Sequence, residues 1–248
     1  MKSVKDTLLQ RRSIRRYERE DISAADMQLI YDAIRNTPTS YNGQQFSVID
    51  ITDQALKEQL YELTQQKQIK TCNHFLVFCA DYNKVRKVAE FKNVEMPDFE
   101  HTADGVIVGI VDASLALMSA LVAAESCGLG TCCIGYTRTA APEAIAELLK
   151  LPKGVFVVCG LAIGIPREMP DLKPKQSEKL LIHSNCYRGD DVVKDMVDYD
   201  SKIIEFNATR SGTKSDNDWA SHIVDYYNQA MNYNMLDALK NCGYDIIK

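Results

Sequence analysis

In the string RRSIRRY, Arg11–Tyr17, the residues Arg11, Ser13 and Arg15 fall on alternate positions of one stretch. Guanidinium forks and a hydroxyl match the oxygens of a phosphate, so this spacing suits an anion grip. About twenty residues on, TPTSYNGQQF, Thr37–Phe46, sets Pro38, Asn42 and Gly43 into a turn-rich polar loop between a helical and a strand-like segment. Its hydroxyls and amides, on Thr39, Ser40, Asn42 and Gln44, suit the polar edge of a heteroaromatic ring. An anion grip followed by a ring reader predicts a phosphorylated cofactor. Taken singly, the first string reads rather as a solvated basic patch at a helix end and the second as turn chemistry. The same ambiguity holds for Lys173-Pro174-Lys175, two lysines spaced by a rigid proline. In Leu129–Arg138, Gly135 would let a strand backbone approach a flat ligand closely.

The elements that must position these residues follow from caps and periodicity. Ser3 caps a first helix carrying Val4, Leu8 and Leu9. Ser23 with Asp26 opens a second, with Met27, Ile30 and Ile34 on one face. Phe46–Thr52 alternates as a strand, and Asp53 caps a helix bearing Leu56, Leu60 and Leu63. His74–Ala80 is a short apolar strand. Ala89–Asp104 lacks a clean period and reads as a surface excursion of the kind that lids a site. Gly105–Cys127 is apolar nearly all round and stops at Gly128, which predicts a central or subunit-interface helix. Leu129–Thr137 reads as a strand, 142–150 as a helix, and Val155–Ile165 as the strongest strand. Pro166–Asp218 is polar with one weak helix around Asp191–Phe206, and an amphipathic helix follows around Trp219–Tyr233. A polar arm after a complete α/β core wraps a neighbour or is partly disordered.

Composition excludes several classes. The 248 residues are 46% hydrophobic with a net charge of −5, which argues against nucleic-acid binding despite the basic run Arg11–Arg19. The start, MKSVKDTLLQRR, has no apolar signal region, so a cytoplasmic protein is expected. Ile107–Ala124 is interrupted by Gly109 and Asp112, which argues against a membrane span. The eight cysteines show no CxxC and no zinc spacing, so reduced thiols are expected, with Cys132 and Cys133 on opposite faces of a strand. His74, His101, His183 and His222 lack metal spacing, and no GxSxG, GxGxxG, Walker loop or paired catalytic carboxylates occur. No catalytic side chain and no metal are therefore expected; a cofactor would carry the chemistry.

The ordered set RRSIRRY, PTSYNGQQF, GIVDASLALMSALVAAESCGLGTCCIG, PDLKPK and TRSGTKSDNDW resembles the FMN-dependent nitroreductase family across essentially the whole chain. Within it, the set resembles the oxygen-insensitive NADPH nitroreductase and flavin-reductase branch, which has a long C-terminal arm. The resemblance implies an α+β homodimer, with a central mixed sheet flanked by helices and two non-covalent FMN sites at the interface. It implies a core over 1–165, and an arm over 166–248 that completes the phosphate site and wraps the partner. It implies ping-pong transfer of hydride from NADPH or NADH to flavin N5, then to a nitroaromatic, quinone or free flavin. Same-fold and non-catalytic alternatives stay open: a dedicated flavin or quinone reductase, or a passive FMN-binding protein.

Carried over by residue, the motif Arg11-Arg12-Ser13 meets the FMN phosphate, with Lys173 and Lys175. Lysine at 175 replaces an arginine and loses the bidentate fork. Arg15 faces flavin N1 and the C2 carbonyl, where a fixed cation stabilises the negative charge that hydride transfer brings. Thr39, Ser40 and Asn42 match a loop that reaches FMN from the other subunit, and Gln66 the flavin edge. Ile134, Gly135 and Tyr136 match the strand end beneath N5, with Tyr136 replacing a glycine. Arg210 matches an arginine for the NADPH 2′-phosphate. The dibasic pair that often follows falls on Ser215 and Asp216, leaving Lys214 as the nearby cation, and a substrate-side arginine falls on Asn232.

Overall fold

The computed structural model describes residues 1–246. In chain order the helices and strands are α1 (Val4–Gln10), α2 (Ala24–Arg35), β1 (Phe46–Ile51), α3 (Gln54–Thr64), α4 (Lys67–Thr71), β2 (His74–Asp81), α5 (Asn83–Lys92), α6 (Ala103–Ser126), β3 (Gly130–Ile134), α7 (Tyr136–Thr139), α8 (Pro142–Leu148), β4 (Val155–Gly164), α9 (Glu178–Leu181), α10 (Val192–Thr209), α11 (Trp219–Ala230) and α12 (Met235–Asn241). The predicted caps form: the side chains of Ser3, Ser23 and Asp53 accept from Asp6, Asp26 and Leu56 backbone N–H groups.

The sheet runs β1-β2-β4-β3, and each neighbouring pair is antiparallel. Its mixed character rests on one parallel bridge, Ser13 to Thr131, beyond the named strands. β2 is apolar from Phe75 to Ala80 because both its faces are buried there. Leu76, Phe78 and Ala80 face a layer with Ile30, Ala116, Ala120 and Tyr244. Phe75, Val77 and Cys79 face a second layer with Leu60, Ile69 and Ile145. On β4 the alternation changes phase: Phe156 and Val158 join the first layer, as do Leu161 and Ile163. The register shift opposite Phe78 and Cys79 absorbs the extra residue.

α6 packs against α2 and across the sheet. A Cβ on Gly109 would lie 2.9 Å from the Ala80 Cβ, so this glycine lets the helix settle on β2. By length and composition α6 is apolar enough to cross a membrane, contrary to the sequence reading, and half of its apolar stretch is buried inside this fold. It leaves an exposed stripe of Ile107, Val111, Leu115 and Met118.

Three elements depart from the sequence reading. The excursion Ala89–Asp104 begins inside α5 and narrows to a short loop and a 3-10 turn at Phe99–His101, where buried Glu100 pairs with Arg86. The strand expected over Leu129–Thr137 stops at Ile134, and Tyr136–Thr139 coils into α7. The weak helix of the arm is an 18-residue α10, held by buried Tyr199, Ile203 and Asn207.

The chain forms two compact units, Met1–Met169 together with the residues from Asn234 onward, and Pro170–Tyr233. The boundary expected at 165/166 thus separates differently at the C-terminus. Ala238, Cys242 and Tyr244 of the last segment are buried in the first unit, and the Tyr244 hydroxyl donates to Gly154 O at 3.0 Å.

Candidate functional site

The string Arg11–Tyr17 leaves α1 as extended chain laid along the sheet edge. Ser13 bridges Thr131, Ile14 N donates to Thr131 O at 2.8 Å, and Tyr17 bridges Pro166. Buried Ile14 and Tyr17 point inward. A Cβ on Gly130 would sit 2.8 Å from Ile14, so only glycine admits that side chain. With these two anchored, Arg11, Ser13 and Arg15 take the other positions, and Arg15 is exposed. Thr131, fully buried, donates its hydroxyl at 2.7 Å to Glu125 of α6. Burial raises the Glu125 carboxyl above its ordinary value, opposed by the Thr131 bond and by the positive charge of Arg11. The Nε atoms of Arg11 and Arg12 are buried without a hydrogen-bond partner. Glu168 orders the far end, accepting from Arg15 N at 2.7 Å and lying 3.7 Å from Arg16.

The loop between α2 and β1 is held differently. Tyr41, Asn42 and Gln44 have φ of 56°, 53° and 52°. Left-handed backbone costs a non-glycine residue on the order of 1 kcal/mol or more. Two tethers to α6 hold it: Thr37 Oγ1 bonds Ser119 Oγ at 2.9 Å, and Ser40 N donates to Asp112 Oδ1 at 3.0 Å. Thr39 Oγ1 accepts from Gln44 N at 3.2 Å, so its hydroxyl braces the loop. Among the described residues, the side chains of Ser40 and Asn42 make no hydrogen bond, and Tyr41 stands 88% exposed at the tip.

At the sheet edge β3 ends on buried Ile134. A Cβ on exposed Gly135 would meet nothing within 4 Å, so the end of the strand faces open space. Tyr136, half-buried, starts α7. Cys132 is buried and Cys133 exposed, as alternation requires. Burial pushes the Cys132 thiol up, and those of Cys72 and Cys79 to about 12, so none of the three is a thiolate near neutrality. Gln66 opens α4 with its amide engaged locally: its Oε1 accepts from Gln68 at 3.0 Å. His74 Nδ1 lies 2.8 Å from Asp50, a pairing that spacing alone did not suggest. No metal-binding cluster occurs among the described residues.

The loop and the Arg11 strand do not meet along α6. Asp112 holds the loop, and Glu125 backs Arg11 thirteen residues on, about 20 Å at the helical rise.

In the second unit, Lys173 and Lys175 are exposed. Lys175 lines an open cavity of about 530 Å³ with Lys179, Lys202, Asp195, Asp198 and Tyr199. Arg210 follows α10, its Nε buried without a partner, and Lys214 is exposed. The loop between α10 and α11 is tied down: Ser211 N donates to Asp171 at 2.6 Å, Ser215 N to Asn207 O at 3.1 Å, and Asn207 Nδ2 to Asn217 O at 2.8 Å. Asp218 caps α11 through Ser221 N at 2.7 Å, and that bond holds its carboxyl below the ordinary value.

Sequence reasoning missed Asp112, Glu125, Thr131 and Glu168. A signal existed for the first two, which are carboxylates stranded in an apolar helical run.

The nitroreductase family model matches residues 8–165, and its C-terminal domain model matches 173–246. An FMN reductase [NAD(P)H] of Bacillus subtilis is 34% identical over 250 residues, covering 100% of both chains. An oxygen-insensitive NADPH nitroreductase of Salmonella typhimurium is 38% identical, covering 86% of this chain and 85% of its own. Among solved structures, a hypothetical oxidoreductase of Bacillus subtilis superposes at a TM-score of 0.94 with 33% identity and 100% of both chains covered. An NADPH:FMN oxidoreductase of Vibrio harveyi, complexed with NAD+, superposes at 0.84 with 25% identity and 98% of each covered. With both family models matched in order and the fold shared from end to end, the chain belongs to the nitroreductase family.

Proposed function

We propose that this chain is an FMN-dependent NAD(P)H oxidoreductase, acting as a cytoplasmic homodimer. The observation that carries the reading is the pair of buried arginine Nε atoms without partners, at Arg11 and Arg12, on an extended stretch that bridges β3 at Thr131, the strand that ends at exposed Gly135. An orphaned buried guanidinium nitrogen calls for an acceptor. A phosphate supplies several, and a flat ring suits a glycine edge. The relatives named as FMN reductases supply the identity of the ligand.

In this reading Arg11, Arg12 and Ser13 hold the FMN phosphate, and Lys173 and Lys175 keep the role of phosphate contacts that the family resemblance gives them. Arg15 keeps a fixed positive charge at the ring's pyrimidine side. Ile134, Gly135 and Tyr136 border its face, and Gln66 approaches its edge. When bound, FMN accepts hydride from the nicotinamide and passes it to the electron acceptor. Arg210 and Lys214 orient the nucleotide through its 2′-phosphate. No side chain moves a proton or forms a covalent bond.

The separation of about 20 Å along α6 supports a site shared between two chains, in which Thr39, Ser40 and Asn42 read the ring held by the partner's phosphate strand. The exposed stripe of Ile107, Val111, Leu115 and Met118 on the same helix fits a second copy of itself across a twofold axis. Initial-rate lines against acceptor at several NADPH concentrations should be parallel, because nucleotide leaves before acceptor enters. Intersecting lines would require both substrates bound at once and would exclude the ping-pong order. A panel of nitroaromatics, quinones and free flavin at fixed NADPH would rank the acceptors.

A further inference from the structure

We infer that Asp112 is a positioning residue for the flavin, a buried carboxylate that holds the Thr39–Gln44 loop in its ring-reading shape; this rests on the cofactor reading above. Three of the six residues in that loop are left-handed without being glycine. Asparagine tolerates this conformation, but tyrosine and glutamine do not favour it. The local sequence would relax toward ordinary backbone without an outside hold. Ser40 is the residue just before the first left-handed position, and its N–H donates to Asp112. A charge-assisted bond is the strong kind, and it fixes the chain where the unfavourable turn begins.

Stability alone does not account for the carboxylate. Asp112 is 0% exposed in an apolar helix, and its Oδ2 has no hydrogen-bond partner. Burying a charge with one oxygen unsatisfied disfavours the fold, and an apolar residue would pack there at less cost. Gly109, one turn earlier, lets α6 settle close on Ala80. Asp112 also follows Val111 of the exposed stripe, so subunit contact and loop shape lie on adjacent positions of one helix.

The test compares wild-type holoenzyme with Asp112→Asn, Asp112→Ala and Ser40→Pro. Proline at 40 removes the donor, and Thr39, at φ −136° and ψ 156°, already has the backbone that precedes a proline. Asp112→Asn keeps an acceptor without its charge and should weaken FMN binding about three- to tenfold, whereas Asp112→Ala should weaken it about thirtyfold or more. The visible circular dichroism of bound flavin should change in both, while kcat at saturating FMN stays within about threefold and the melting temperature in excess FMN does not fall for Asp112→Asn. Asp112→Ala and Ser40→Pro together should be no worse than the worse single change, because both remove the bond from Ser40 N to Asp112 and the Ser40 hydroxyl is missing from the proline single and the double variant alike. If the alanine variant fails to fold, the asparagine variant takes its place in this cycle. FMN affinity and flavin dichroism unchanged in Asp112→Asn and Asp112→Ala, or effects that multiply in the double variant, would overturn the inference. Wild-type protein without FMN would instead overturn the cofactor reading.

Discussion

The two units carry their candidate ligand-binding cations on different backbone, although Arg11 and Arg210 alike bury an unpartnered Nε. In the first, Arg11 and Arg15 stand on an extended stretch bridged to Thr131 and Pro166, anchored by buried Ile14 between them and buried Tyr17 just beyond. A carboxylate, Glu125, is buried behind that stretch. In the second, Lys175 and Lys214 are exposed, and the loop after Arg210 is shaped by Asn207 and Asp171 rather than by a sheet. Fixed backbone spends the ordering entropy at folding, whereas exposed lysines must spend it when the ligand arrives. The first unit should therefore set cofactor affinity, and the second should adjust nucleotide preference.

The largest effect should follow Arg11→Ala. Losing a pre-ordered charge-assisted contact costs about 2–4 kcal/mol, so the variant should be purified largely without flavin. Full flavin content in it would move the phosphate grip to the second unit and reverse the contrast. Next is Arg210→Ala, which should raise the NADPH KM about tenfold while NADH changes little. Asp218 is committed to capping α11, so Asp216 is the uncommitted negative charge near Lys214, and a modest NADPH preference is expected in wild type.

A pH series sharpens the contrast further. Glu125 is raised in the folded state, so its contribution to stability is present below the ordinary carboxylate value and is lost as pH rises through the raised one. Asp218 is lowered, so its contribution is present above its ordinary value and is lost as pH falls through the lowered one. In melting curves with excess FMN, Glu125→Gln should gain on wild type as pH rises, and Asp218→Asn should lose to it. Parallel shifts in both would mean that the two carboxylates sit in like surroundings. The smallest effect should be that of Cys133→Ser, with turnover within a few-fold of wild type. Near-total loss with flavin still bound would assign that thiol a role in the chemistry.

Much of the frame was legible because caps and periodicity are local. Ser3, Ser23 and Asp53 start their helices, and the apolar run after Gly105 is the central helix. The strand end was misjudged because Tyr136 and Thr137 have strand propensity, yet Thr137 turns its hydroxyl back to Ile134 O and starts α7. α12 was missed because its apolar residues, Ala238 and the nearby Cys242 and Tyr244, show their purpose only against the distant Gly154 segment. The anion strand and the polar loop were visible as residue types. Their supports showed only as carboxylates stranded in an apolar helix; the roles of Asp112 and Glu125 are defined by long-range contacts, to Ser40 and to Thr131, that no local pattern carries.

The most direct measurement is anaerobic titration of the purified wild-type protein with NADPH, followed in the visible spectrum. The account predicts a bound flavin spectrum of about one FMN per chain, bleached by NADPH and restored when a nitroaromatic or quinone is added. A colourless protein, or a flavin spectrum that NADPH and NADH both leave unchanged, would contradict it.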